Sequence, residues 1–235
     1  MAKEVTMEPR VAVIGIGGAG CTVTGRFYDS LCDVDVIAIN TDKKALDAVS
    51  ADRKIYICRS VTKGEGTKGD KALGRKCACA HEEDIADALR GHDVAFIIAG
   101  FGGGTGTGAA SVVADICNRM NMLTFAVAIN PFSFESSRIG TAVEGLRALR
   151  AVCPATFVVE NDRIFAAMPD STMSCVLDAV NGSIVNFVIG MTGKLSDMVL
   201  SETDAVIMQS EKAQADATLS AFAAPFEYQV SQGRH

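Results

Sequence analysis

Ala99–Ser111 reads AGFGGGTGTGAAS, with six glycines packed between an apolar run and a helical pattern. Glycine loses more backbone freedom on folding than any other residue, so such a run costs stability unless something demands bare backbone. A plain strand-to-helix turn needs one or two. The run in front, VAFIIAG, is apolar without alternation, which marks a strand covered on both faces in a parallel sheet. Glycines alternating with Thr105 and Thr107 expose consecutive backbone N–H groups as an anion nest. The helix predicted to open near Thr105 adds the positive end of its dipole, and the two hydroxyls add donors without bulk.

The rest of the chain alternates in the same way. RVAVIGIGGAG, DVDVIAINTD, KIYIC, HDVAFIIAG, MLTFAVAIN and ATFVVEN read as strands, most of them followed by helical stretches. KALGRKCACAHEEDIADALRG reads as one helix stopped by Gly91, and Pro169-Asp170-Ser171 as the cap of a long helix through about Met191. The fold class is α/β, a doubly wound parallel sheet with a long central helix toward its C-terminal side. Ligands of such sheets bind outside the carboxyl ends of the strands. The glycine-rich and polar loops at 15–22, 40–42, 64–70, 100–108, 130–138 and 160–163 all fall there. Residues 1–200 are expected to form one domain and 201–235 a short C-terminal segment, with DAVIM as a possible strand, EKAQADATLSAFAA as a helix and PFEYQVSQGRH as a tail.

Charge and cysteine use narrow the function classes. Lys and Arg total 22 against 28 Asp and Glu, for a net charge of -6, and no basic block is present. Nucleic acid and anionic membrane surfaces are not expected partners. The polar start MAKEVTMEPR is no signal peptide, and a cytoplasmic location is expected. CVLDAVNGSIVNFVIGMTGKL is interrupted by Asp178, Asn181 and Asn186 and reads as a buried helix rather than a membrane span. The eight cysteines lack the loop placement of a disulfide framework, which fits a reducing compartment. Cys77-Ala-Cys79 is the one close pair and makes no four-ligand metal set, so no protein-held metal is expected. His81, His92 and His235 have no partner pattern and read as surface residues; no nucleophile–His–acid triad is evident.

Gly15-Ile16-Gly17-Gly18-Ala19-Gly20 fits the dinucleotide fingerprint, and Asp42 ends the next strand where an acid would hold a ribose. That pattern alone supports an NAD-type protein. No GxxxxGK[ST] is present. Two phosphate-grade loops in one sheet, 15–20 and 102–108, point instead to a nucleotide with several phosphates.

Gly102-Gly103-Gly104-Thr105-Gly106-Thr107-Gly108 resembles the signature of the tubulin/FtsZ GTPases, and other segments follow in the same order. GIGGAG resembles the first glycine loop and Asn40-Thr41-Asp42 the second. GEGTKGDKALGRKCA resembles the third loop and its helix, with Gly66 and Gly69 in the loop. PFSFESSR resembles the PFxFEGxxR segment, and ENDRIF the guanine-side NDR. The resemblance runs from about residue 10 to 200. It implies a Rossmann-like GTPase domain in which Gly17, Gly18 and Gly20, with Gly102, Gly103, Gly104, Gly106 and Gly108, cradle the phosphates, and Thr105 and Thr107 donate to them. Glu135 and Arg138 would contact the ribose and phosphate side, Asn161 the guanine, and Asp42 the region of the γ-phosphate and Mg²⁺.

Three departures stand out. The third loop carries Lys68 and Lys71, read either as phosphate attraction or as solvated surface charge. The family's guanine-reading acid aligns with Cys175, and its first-helix asparagine is missing near Cys21 and Thr22; Asp178 or Asp170 is the candidate substitute. The family's acidic NxDxxD loop, which activates water across a subunit contact, is replaced by GKLSDMVLSETDAVIM, whose acids are Asp197, Glu202 and Asp204. By that resemblance, the residues after 200 are expected to leave no room for the family's second domain. The resemblance implies a guanine-nucleotide-binding protein of the cytoskeletal, cell-division type. It would bind GTP or GDP and self-assemble, hydrolysing GTP slowly with those acids supplied in trans. The alternative is a non-hydrolysing regulator of a full-length FtsZ-type filament.

Overall fold

The computed structural model describes residues 8–28, 34–199 and 201. Six parallel strands form the sheet: β1 (Val11–Ile16), β2 (Asp35–Asn40), β3 (Arg53–Tyr56), β4 (Val94–Gly100), β5 (Leu123–Asn130) and β6 (Thr156–Glu160). Their order is β3-β2-β1-β4-β5-β6. The chain winds outward from β1 to β3, then returns to β4 at the other side of β1. That reversal makes the β1/β4 boundary the topological switch point. Every residue of β1 is buried, as are the first six of β4, because helices cover both faces of the sheet. The edge strand β3 instead exposes Arg53 and Lys54, charges that discourage pairing with another edge.

The helices are α1 (Gly17–Thr24), α2 (Lys43–Asp47), α3 (Arg59–Thr62), α4 (Lys71–Ala80), α5 (Glu82–Leu89), α6 (Gly104–Arg119), α7 (Ser136–Val152), α8 (Asn161–Ala167) and α9 (Met173–Val199). The stretch expected as one helix up to Gly91 is two, broken at His81 with φ -121° and ψ 27°. His81 is not a bland surface residue. Its Nε2 accepts the Cys58 N–H at 3.0 Å, while Nδ1 lies 2.8 Å from Asp84 Oδ2. Glu82, Glu83 and Asp84 then open α5, placing negative charge at its positive end.

The long helix is capped by Thr172 rather than by residues 169–171: the Thr172 hydroxyl accepts the Cys175 N–H at 3.3 Å. Its apolar content and length meet the requirement for a membrane span by composition alone. It is buried along one stripe rather than all round. One stripe, Val176, Val180, Ile184 and Val188, is buried, whereas Leu177 and Asp178 are exposed. Phe187 packs edge-on against Phe157 of β6 with ring centroids 4.7 Å apart. Pro9–Thr192 form one compact unit. Residues 202–235, with the strand, helix and tail expected there, lie outside the described residues.

Cysteine pairing also differs from expectation. Cys58 and Cys77, 19 residues apart, are joined as a disulfide with Cα atoms 5.1 Å apart. Cys58 follows β3 and Cys77 lies on the inner face of α4, so only the crossover between them brings the two together. Cys21 and Cys117 are buried thiols whose pKa burial pushes up to about 12.

A polar staple holds the amino ends of the strands. Asp35 Oδ2 lies 2.7 Å from Nε2 of the buried His92 side chain and accepts Arg10 NH2 at 3.1 Å. Asp93 accepts the Arg10 backbone N–H. Burial raises the Asp35 pKa, but the hydrogen bonds from His92 and Arg10 outweigh it and hold the carboxyl below its ordinary 3.8. A lowered folded-state pKa contributes stability that is present above the unfolded value and lost as pH falls through the folded one. Urea midpoints are therefore expected to fall as pH drops through the lowered Asp35 pKa, below 3.8, and less steeply in His92→Phe, which removes the imidazole from Asp35.

Candidate functional site

At the switch point, two helices begin directly from adjacent strands. α1 follows β1 with Ile16 as its N-cap, and α6 follows β4 with Gly103 as its N-cap; neither cap residue offers a side-chain hydrogen bond. Of the other helix starts, those of α2 and α4 are closed, with Asp42 accepting the Ala45 N–H and Asp70 the Leu73 N–H, whereas α3, α7 and α8 also lack a side-chain cap; what sets α1 and α6 apart is that they start side by side at the switch point. The two uncapped helix starts lie together, since a Cβ on Gly17 would stand 2.9 Å from the Gly106 nitrogen. Open N–H groups and two aligned dipoles make this the natural seat for a polyphosphate.

The glycines divide into two groups. A Cβ on Gly18 or Gly103 would meet nothing within 4 Å, so these two face open space. A Cβ on Gly20, Gly106 or Gly108 would collide with the carbonyl oxygens of Ile98, Gly100 and Lys71 respectively, and one on Gly104 with the Thr67 hydroxyl and the Asp70 backbone. These four let α1 press on β4 and α6 press on β1, β4 and α4. Gly17 at φ +73° and Gly102 at φ +91° sit where side chains are strained. The cradle therefore has few free glycines, held in place by others used for packing.

Thr105 joins three loops. Its hydroxyl lies 2.6 Å from that of Thr41 and 3.4 Å from that of Thr67. The Thr107 hydroxyl turns inward and accepts the Gly102 N–H at 2.9 Å. Thr41 and Thr67 were not singled out from the sequence, although both lie inside its marked loops. Asn40 is buried and shapes its loop: Oδ1 accepts the N–H groups of Thr41 and Asp42, and Nδ2 has no partner. Asp42 pairs with Glu65 in an isolated antiparallel bridge, which brings the third loop, with Gly66 and Gly69, beside the second. Lys68 and Lys71 are engaged by acids, Lys68 with Glu65 and Lys71 with Glu144.

On the β5–β6 side, Glu135 pairs with Arg138 at 2.6 Å and accepts the Phe132 N–H. A Cβ on Gly102 would press on Arg138, so the α7 start closes against the glycine loop. Asp162 accepts from the Ser133 N–H at 3.1 Å and ties the next two loops. A cleft of about 260 Å³ between them is lined by Asn130, Pro131, Ser133, Glu160, Asn161 and Asp162. Asn161 is buried, and its Oδ1 acceptor has no donor.

At the base end, Cys21 turns inward and donates to Gly15 and Ile39 carbonyls, leaving Thr22 as the exposed residue of that pair. Cys175 is exposed on α9. One turn below, Arg26 and Asp178 form an ion pair at 2.5 Å. Asp197 is exposed further along α9; Glu202 and Asp204 lie outside the described residues. No cluster of three or more metal-ligating side chains occurs among the described residues.

A doubly wound parallel sheet with glycine-lined helix starts at its switch point is the architecture of nucleotide-binding α/β domains. The chain belongs to the tubulin/FtsZ family: the model of the Tubulin/FtsZ family, GTPase domain, matches residues 10–169. It is 34% identical over 191 residues to cell division protein FtsZ 2 of Methanocaldococcus jannaschii, covering 81% of this chain and 50% of that protein. It is 36% identical over 188 residues to cell division protein FtsZ 1 of Pyrococcus furiosus, covering 79% and 50%. Among solved structures, an empty FtsZ dimer from M. jannaschii aligns with a TM-score of 0.76 at 33% identity, covering 80% of this chain and 55% of that one. A GTPgS-bound CetZ2 protofilament from Haloferax volcanii aligns at 0.67 and 25% identity, covering 81% and 58%. The chain spans about half the length of the curated relatives it matches.

Proposed function

We propose that this chain binds GTP and GDP at the β1/β4 switch point and acts in the cytoplasm as a self-assembling, slowly hydrolysing GTPase of the cell-division type. The observation that carries the binding is the pair of uncapped helix starts, α1 and α6, lying side by side. Phosphates approach through the open faces of Gly18 and Gly103. The Thr105 hydroxyl holds the second and third loops around them. The Glu135–Arg138 pair borders the ribose side. The orphaned Asn161 acceptor meets a donor of the guanine edge, and Asp178 supplies the carboxylate for guanine N1–H and N2–H that Cys175 lacks. Mg²⁺ would be carried chiefly by the phosphates, with Asp42 as the protein's contribution, and would neutralise charge on the transferred phosphoryl group.

Hydrolysis needs a group that orients water, and head-to-tail contact would supply it from Asp197, Glu202 or Asp204 of a neighbouring copy. A second reading, a nucleotide-bound regulator that caps a full-length FtsZ-type filament without turnover, is supported by the departure of SDMVLSETD from the NxDxxD pattern. Nucleotide released by denaturing the purified protein, identified by chromatography, tests the binding. Guanine nucleotide is expected; recovery of NAD or adenine nucleotide alone would overturn the reading.

A further inference from the structure

The third loop is enclosed by a disulfide. Cys58 precedes it and Cys77 follows it on α4. Between them, five of the seven residues from Lys63 to Gly69 have positive φ: Lys63, Gly64, Gly66, Lys68 and Gly69. L-residues such as Lys63 and Lys68 disfavour that conformation, so the loop gains by relaxing whenever its contacts release. Besides bonds within the loop, such as Lys68 with Glu65, its contacts run to the second loop and to the start of α6. Thr67 meets Thr105, Glu65 bridges Asp42, and the Lys43 N–H donates to Gly64. Cys58 is itself left-handed at φ 58° and its N–H donates to His81, four residues beyond Cys77 at the carboxyl end of α4. Both sulfurs are thus placed by α4 and its carboxyl-terminal cap, and the first turn of α4 is the end of the loop.

We propose that the Cys58–Cys77 pair is a redox switch for nucleotide exchange: oxidised, it clamps the third loop over the phosphates; reduced, it lets the loop open. This rests on the nucleotide reading above. A covalent ring around residues 58–77 removes open conformations from the loop's ensemble, and local opening of such loops is what ligand release requires. The oxidant is a small-molecule disulfide of the glutathione class. The Cys58 thiolate, partly exposed, attacks one of its sulfurs and releases one small thiolate. The buried Cys77 then gives up its proton and attacks the Cys58 sulfur of the mixed disulfide, expelling the second small thiolate. Two protein thiols lose two protons and two electrons, and one small disulfide becomes two thiols. Reduction by a dithiol runs the exchange backward.

The test uses the full chain loaded with N-methylanthraniloyl-GDP and chased with unlabelled GDP, after incubation with either oxidised glutathione or dithiothreitol. Peptide mass mapping without reductant reports which cysteines are joined. Release is expected to be about tenfold slower in the oxidised protein. Cys58→Ser should release at the fast rate under both conditions, and Cys79→Ser should behave as the parent. A Cys58–Cys77 bridge that forms without slowing release would overturn the switch, as would both thiols staying free in oxidised glutathione. Failure of both forms to bind labelled GDP would overturn the nucleotide reading and the switch with it, whereas bound label with redox-independent release overturns the switch alone.

Discussion

Gly108→Ala is expected to destabilise the nucleotide-free protein by about 2–3 kcal/mol, while Gly103→Ala leaves its stability nearly unchanged and weakens nucleotide binding at least about tenfold. The two glycines lie five residues apart in one signature, yet their surroundings are opposite. A methyl group on Gly108 would collide with the Lys71 carbonyl oxygen and lie 2.6 Å from the Arg75 nitrogen, all backbone of α4. Backbone cannot rotate aside, so α4 and α6 would have to separate, and overpacking of this kind costs about 1–3 kcal/mol. At Gly103 the methyl group would stand in free space with φ -87°, a conformation alanine adopts without strain. Its cost appears only when phosphate must come within hydrogen-bond distance of the backbone. Calorimetric melting without nucleotide, followed by equilibrium binding of GTP, separates the two effects. Equal loss of stability in both variants would contradict the division of the loop into packing and approach positions.

The second large effect concerns turnover. Neutralising Asp197, Glu202 and Asp204 together, as Asn, Gln and Asn, is expected to lower the GTPase rate about 100-fold or more with GTP affinity unchanged, since a positioned general base is worth roughly 10²–10⁴ in rate. The rate per molecule in the parent should rise with protein concentration, because the acid comes from a neighbour. Phosphate release that does not depend on concentration, or survives the triple substitution, would count against hydrolysis in trans. Parent protein that releases no phosphate yet retains GTP would favour the regulator.

The architecture was legible because its determinants are local. Uninterrupted apolar strands such as AFIIA, glycines after β1 and β4 and helical periods between strands repeat along the chain, and the parallel arrangement followed from the alternation. The glycine signature located the site for the same reason. What the sequence did not carry were features made by distant segments meeting. The hydroxyl cluster of Thr41, Thr67 and Thr105 spans three loops, and the Cys58–Cys77 bond joins a strand end to a helix face. Nothing at either cysteine marks the other until β3 and α4 are placed. The roles of the individual glycines were likewise hidden, because a packing glycine and an approach glycine look alike in a string of letters and differ only in what a Cβ would touch. The break at His81 was missed because KALGRKCACAHEEDIADAL keeps a helical period throughout; the acids that open α5 were the available signal.

The central claim is that the paired, uncapped starts of α1 and α6 hold a polyphosphate, and a comparison of GTP with guanosine tests it most directly. Titration calorimetry on nucleotide-free protein should show one saturable site for GTP, with affinity falling about 100-fold or more when the phosphates are removed. Guanosine binding as tightly as GTP, or no saturable binding of GTP at all, would contradict the claim.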